Sequence, residues 1–327
     1  MTLWNGSFPF YPGPRAGFLF DTTRATILSV FLSLLVTFII ILPGIRGRKR
    51  LFWFLRVVLS LFVGAVVLTV QFGRDWETGW VTANASYKSF SSALVTVDVG
   101  LHIGLDGLNI TLLGAPVRQL NETIDYNEFF SWGPGADYEQ SYVAGLQKGL
   151  PSPILYVAEK FRARSPCGVQ GQYRSAGRYA SITLWMAFCS WLLALLLLSM
   201  PLLPRGGCML LLTATLLLCS LLFFSAARGA ARCPIRLGTA ALHTAYGASF
   251  WLALATGLLC LVLGLGIIIL SSKQPEKLKV VFDLDQGRGE EEEEQGKAFL
   301  PAEASSSVQE VLLLPLAQLP QVPATKL

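Results

Sequence analysis

Charge is scarce in this sequence. Of 327 residues, 14% are Asp, Glu, Lys or Arg, whereas 53% are apolar. A soluble domain covers its surface with about a quarter of its residues charged. A single soluble globule is therefore excluded, and the case for a soluble enzyme falls with it. The high apolar content also excludes disorder throughout. Histidine is scarcer still: His102 and His243 are the two present. Neither has a His, Cys or acidic neighbour at metal-ligand spacing. No Gly-rich phosphate loop follows a strand, and no nucleophile-elbow pattern occurs. Catalytic, cofactor-binding and metal-ligating residues are accordingly expected to be none. The net charge of +5 does not indicate nucleic acid, because the bases cluster near apolar runs and form no stripe with interleaved aromatics.

What the sequence does have is long apolar runs. A bilayer core needs roughly 17 to 25 apolar residues per helix. Five stretches qualify: Ala25 to Leu42, Leu51 to Val70, Ser181 to Leu203, Gly207 to Ala227 and Ser249 to Leu270. Pro43 and Gly44 close the first, as helix-stop residues do. None of the five holds a His pair, so haem is not carried between them. Arg56 is the one charge inside a span. It lies near a membrane edge, where its side chain can snorkel to the interface. The spans offer little else polar beyond Ser and Thr, which argues against a transporter. Ala253, Gly257 and Gly264 make a small-residue face on the fifth span, suited to close contact within the bundle or with a partner.

Five spans put the termini on opposite sides. Flanking bases divide evenly, but the densest cluster, Gly44 to Arg50, lies beside the first span and favours the cytosol there. Four N-glycosylation sequons, at Asn5, Asn84, Asn109 and Asn121, then fall on one side, with the N-terminus outside. The N-terminal run is too long and lacks the basic start of a cleaved signal, so it is read as a retained anchor.

The organisation follows. Residues 1–24 form an outer segment with a stiff aromatic stretch from Phe8 to Pro14. Residues 25–70 hold the first two spans and a cytosolic loop. Residues 71–180 form an outer loop too long to lack structure. Within it, Val95 to Leu105 alternates apolar and polar as a strand does, Asp106-Gly107 reads as a hairpin turn, and Leu108 to Leu113 returns. On the polar face of that strand His102 is expected to be solvated. Asp137 to Leu150 has helical spacing. A second short helix runs from Ile154 to Phe161, with Ser152 as cap and Pro153 as its first residue. The loop is thus a small α+β domain. Residues 181–271 carry spans three to five. The turn between the third and fourth spans is Pro204 to Gly206, so these two helices pack antiparallel. Residues 272–327, with Glu290 to Glu294, read as a disordered acidic cytosolic tail. Of six cysteines, Cys189, Cys208, Cys219 and Cys260 lie in spans and read as packing residues, whereas Cys167 and Cys233 lie in outer loops. A disulfide between those two is the first reading, and bonds to a partner chain the second.

Several longer motifs carry a resemblance. They include Ile41 to Gly47 (ILPGIRG), Ser86 to Ser91 (SYKSFS), Leu120 to Glu128 (LNETIDYNE), Gly149 to Pro153 (GLPSP) and Tyr156 to Phe161 (YVAEKF). Further ones are Ser165 to Gly168 (SPCG), Cys233 to Gly238 (CPIRLG) and Ala255 to Cys260 (ATGLLC). In these the chain resembles the dual oxidase maturation factors over about residues 1–270. The resemblance implies a mainly α membrane protein, a five-span helix bundle with an outer N-terminus and a small claudin-like α+β extracellular domain. The Cys pair of claudins is not found within the first outer loop, which holds Cys167 alone. It also implies a non-catalytic partner of a dual oxidase of the NADPH oxidase family. That role supports exit from the endoplasmic reticulum, delivery to the plasma membrane and hydrogen peroxide production. NADPH, FAD, haem and calcium then belong to the oxidase. The alternative is a claudin-like adhesion or junction protein.

Overall fold

The computed structural model describes residues 21–44, 49–86, 94–117, 122–165, 167–199, 203–230 and 234–273. Asn5, Asn121, Cys233, the Phe8 to Pro14 stretch, most of the basic loop and nearly all of the acidic tail lie outside the described residues.

Five long helices dominate: α1 (Thr22–Ile41), α2 (Lys49–Gln71), α5 (Gln170–Ser199), α6 (Leu203–Ala230) and α7 (Ala248–Lys273). Each is long and apolar enough to cross a membrane. The remaining elements are four strands, β1 (Glu77–Ser86), β2 (Leu94–Ile103), β3 (Gly107–Val117) and β4 (Glu122–Ser131), and two short helices, α3 (Tyr138–Gln147) and α4 (Ser152–Phe161). Three further short strands precede α7: β5 (Ile235–Leu237), β6 (Ala240–Leu242) and β7 (Thr244–Tyr246).

The five apolar runs all become helices, with two boundary corrections. α5 starts at Gln170 rather than at Ser181. Its first turns bear Arg174 and Arg178, which take them out of a hydropathy window. Yet Tyr173, Ala176, Gly177 and Ala180 on one face are buried. A Cβ at Gly177 would strike the Leu105 carbonyl, so only a glycine lets the helix approach that turn. The helix thus continues out of the apolar bundle as a strut under the sheet. The turn after α5 also falls earlier than Pro204 to Gly206: α6 already includes Pro204, a residue the first turn of a helix tolerates. α5 and α6 do run antiparallel. Leu198 lies against Gly206, Ser190 Oγ is 2.8 Å from Thr213 Oγ1, and the rings of Tyr179 and Phe223 meet at 5.7 Å.

α7 packs against α6 through its small residues. Gly257 faces Leu217 and Leu218, and Gly264 faces Leu211. The small-residue face is therefore used within the bundle. Cys260 is buried there, whereas Cys189, Cys208 and Cys219 lie on the outer surface of their helices, so the packing role expected of all four applies to one. α1 buries none of its residues.

The sheet runs β4-β3-β2-β1-β7, all antiparallel. The predicted strand and its return are β2 and β3, but the reversal is broader than an Asp-Gly pair. β2 stops at Ile103, and Gly104 N–H donates to Gly107 O at 2.8 Å. Leu105 in this turn points inward, and its carbonyl accepts from Trp132 Nε1 at 3.1 Å. α3 is shorter than the Asp137 to Leu150 that the spacing suggests, because Asp137 caps it and it ends at Gln147, and α4 begins at Ser152 itself, behind Pro151 with no side-chain cap. The inner sheet face carries Val97, Val99, Leu101, Leu108, Ile110, Leu112, Ile124 and Tyr126, all buried. Aromatic rings then form a continuous path from this layer to the bundle. Trp132 packs on Phe161 and Tyr173, Tyr173 on Phe224, Phe224 on Trp76, and Trp76 on Phe250.

Candidate functional site

Two charge clusters fix the sheet on the helices. One starts from the first residue of β1 and the other from the short link before it. Glu77 opens β1 and is 1% exposed. An isolated carboxylate at such a site is costly unless paired and hydrogen-bonded. Tyr173 Oη, on α5, donates to Glu77 Oε2 at 2.9 Å, and Arg228 Nε, in the last turn of α6, stands 3.3 Å from Oε1. The same guanidinium donates from Nη2 to Thr244 O at 2.6 Å and lies 4.1 Å from the centre of the Tyr246 ring. Tyr246 is the register partner of Glu77. One arginine thus holds β1, β7 and α6 together. A cleft of about 510 Å³ opens beside it, lined by Glu77, Lys160, Phe161, Tyr173, Arg228 and Tyr246 among others.

The second cluster centres on Asp75. Arg24 Nη1, in the first turn of α1, donates to Asp75 Oδ2 at 2.6 Å, and His102 Nδ1 lies 3.0 Å from Oδ1. The His102 contact and the Arg24 cation hold the Asp75 carboxyl down at about 2. The backbone of Asp75 is committed as well, because its carbonyl accepts from Ser249 N at the start of α7 at 3.0 Å. His102 is therefore not a solvated surface residue. Its face of β2 is closed over by Asp75 and by Trp80, whose ring meets it edge-on at 5.4 Å. No local pattern signals this, because Asp75, Trp80 and His102 come together only through strand pairing.

A second cleft, of about 680 Å³, lies on this outward face of the sheet. Asn109 and Thr111 of one sequon line it. Asn84 stands exposed on β1, and its Oδ1 accepts from Thr96 Oγ1 at 2.7 Å. Cys167 is disulfide-bonded, while Cys189, Cys208, Cys219 and Cys260 are free thiols. Arg56 is half-buried on α2, 5.1 Å from the centre of the Trp53 ring. Among the described residues, no three His, Cys, Asp or Glu side chains are grouped to hold a metal.

The sheet and α3 also carry apolar residues on their outside. Trp80 is 54% exposed, and Leu113, Val143 and Leu146 are exposed too. Of the apolar residues at helical spacing in Asp137 to Leu150, Tyr138, Tyr142 and Leu150 are buried, whereas Val143 and Leu146 face outward. A single exposed leucine needs no reason, but several large apolar side chains on one small body suit a contact surface.

Comparison with known proteins places this arrangement. The family model described as "Dual oxidase maturation factor" matches residues 10–286. Dual oxidase maturation factor 1 of Mus musculus is 57% identical over 284 residues, covering 86% of this chain and 83% of that protein. The Homo sapiens protein of the same name is 55% identical over 284 residues, with the same coverage of each. Dual oxidase maturation factor 2 of Homo sapiens is 50% identical over 296 residues, 90% of this chain and 92% of that one. With a family match across most of its length and relatives at this identity, the chain belongs to the dual oxidase maturation factor family.

Proposed function

We propose that this chain is a non-catalytic partner subunit of a dual oxidase, needed for the oxidase to leave the endoplasmic reticulum, reach the plasma membrane and release hydrogen peroxide. The carrying observation is the family match over residues 10–286. The exposed apolar residues of the sheet and α3 fit a protein that works by contact. In this reading NADPH, FAD, haem and calcium are the oxidase's own.

The N-terminus and the sheet face the lumen and then the cell exterior, and the C-terminus faces the cytosol. The sequons at Asn5, Asn84, Asn109 and Asn121 support that orientation. The sheet, α3 and α4 make up the claudin-like outer domain that the family resemblance implies. Arg56 snorkels toward the cytosolic interface from the early turns of α2. Cys167 pairs with Cys233, which is supported by its being bonded while the four cysteines of the spans are free. Non-reducing peptide mapping is expected to recover one peptide joining the two loops, and free thiols at both positions would overturn the pairing.

The test of the main reading is expression of a dual oxidase in cells lacking any such factor. With this chain, the oxidase is expected to acquire mature glycans and produce extracellular peroxide. Without it, both are expected to be lost. Normal surface peroxide in its absence refutes the reading. Homotypic clustering at cell contacts, with no oxidase recovered alongside, points instead to adhesion.

A further inference from the structure

The cleft beside Glu77 and Arg228 lies where the sheet, the loop before α7 and the end of α6 come together. Its floor is the last turns of α6, at Ser225, Arg228 and Gly229. α6 is long and apolar enough to cross a membrane, and an arginine near the end of such a helix reaches for the interface. Tyr246, on the same cleft, stacks on Phe250 at 4.1 Å near the start of α7, and aromatic rings favour the headgroup level. Two kinds of surface meet there. Ile103, Phe161, Val169, Ile235 and Leu242 give the cleft an apolar wall. Two cations stand beside it within reach of a ligand: the Arg228 side chain is 29% exposed, and Lys160 is half-buried at the rim. Glu77 balances Arg228. Lys160 has no carboxylate partner among the described residues, and its Nζ rests 5.1 Å from the centre of the Tyr156 ring. The lining thus sets two bases against one acid. A Cβ at Gly229 would meet nothing within 4 Å, so the floor is open.

We infer that this cleft binds a monoanionic lipid from the membrane leaflet on the sheet's side, with an acyl chain against the apolar wall and the acidic head on Lys160 and Arg228. The cleft's volume of about 510 Å³ is that of an ordinary small-ligand site. The head follows from the charge. A neutral lipid leaves the Lys160 ammonium unpaired, whereas a carboxylate or phosphodiester accepts charge-assisted hydrogen bonds from it. Arg228 has donors to share, because Nε faces Glu77 and Nη2 donates to Thr244 O, while a guanidinium carries five N–H groups. The chain follows from the wall, whose apolar surface it withdraws from water. Position supplies the source: a cleft floored by the end of a membrane-crossing helix opens where lipid heads are most concentrated. The bound lipid then bridges α4 and α6 at the base of the sheet.

The experiment is native mass spectrometry of the full chain in detergent, titrated separately with oleic acid, phosphatidylglycerol and the zwitterionic phosphatidylcholine. One bound molecule of oleate or of phosphatidylglycerol is expected, held more tightly than phosphatidylcholine by roughly tenfold, the worth of one hydrogen bond between charged groups. Whichever acid is retained identifies the head as carboxylate or phosphodiester. Lys160→Gln should weaken that binding by about the same factor. Lys148→Gln, which removes an exposed charge outside the cleft, should leave it unchanged. Gly229→Leu puts a side chain into the open floor and should abolish binding without lowering the unfolding midpoint. Equal affinity for phosphatidylcholine, equal losses in the two lysine variants, or undiminished binding in Gly229→Leu overturns the site, as does the absence of either acid from the unaltered chain. If Gly229→Leu fails to fold, the contrast between the lysine variants decides alone.

Discussion

Asp75 stands on the link between α2 and β1 and Glu77 opens β1, and each gathers a different set of elements. Glu77 depends on Arg228 for charge balance at a site with almost no solvent. Removing one partner of a buried pair leaves the other charge uncompensated, at a cost of about 3–5 kcal/mol. Arg228→Ala should therefore lower the thermal unfolding midpoint in detergent markedly, whereas Lys160→Ala, at the rim of the same cleft, should not. Asp75 gives a pH dependence. Its carboxyl is ordinarily near 3.8 and is held at about 2 in the fold. Folding therefore favours the ionised form. That stabilisation is present above pH 3.8 and is lost as pH falls through about 2. The link between α1 and the sheet consequently survives the mild acidity of secretory compartments. Unfolding midpoints followed from pH 5 to pH 2 should fall more steeply in the unaltered chain than in Asp75→Asn.

At the scale of elements, glycines set the close approaches. Gly177 brings α5 onto the Leu105 turn, so Gly177→Ala has to displace helix or turn, and overpacking of that kind costs about 1–3 kcal/mol. Gly171→Ala on the same helix meets nothing and is the control. Hydrogen exchange across β2 and β3 should report faster opening in the first variant alone. The long helices were legible because an uncharged apolar run of bilayer length has few stable places outside a membrane. β2 was legible through strict alternation from Val95 to Ile103. β1 was not, since its polarity is inverted: it buries Glu77 and exposes Trp80. That inversion reflects partners far along the chain, Arg228 and Tyr173 for one and His102 for the other. β4 carried a readable alternation in Ile124, Tyr126 and Phe130, masked by the acids between them. The sequons could be read directly, but the cleft behind Asn109 and Thr111 could not, because it exists only once β1, β2 and β3 are in register.

For the whole molecule, the sheet belongs to two loops at once. β1 to β4 come from the segment after α2, and β7 from the segment before α7. This couples the layer to helices far apart in the chain, through Arg228 at the end of α6 and through the bond from Asp75 to the start of α7. Replacing residues 244–246 by a Gly-Ser linker of equal length should therefore weaken the sheet as well as the second loop. Loss of protection at Glu77 to Gly79, with β3 and β4 unaffected, is the expected exchange pattern.

The pairing of Glu77 with Tyr246 also has a meaning in time. A ribosome makes β1 early, and it makes β7 only after two more spans, α5 and α6, have been synthesised. At the usual rate of about 5–20 residues per second, the interval is roughly 10–30 s. Throughout it the β1 edge is open, and an open strand edge is what recruits other chains. Closure of the sheet thus reports that translation has passed the second loop. A chain cut short before Thr244 would display the unpaired edge to the quality-control machinery of the compartment in which it is made.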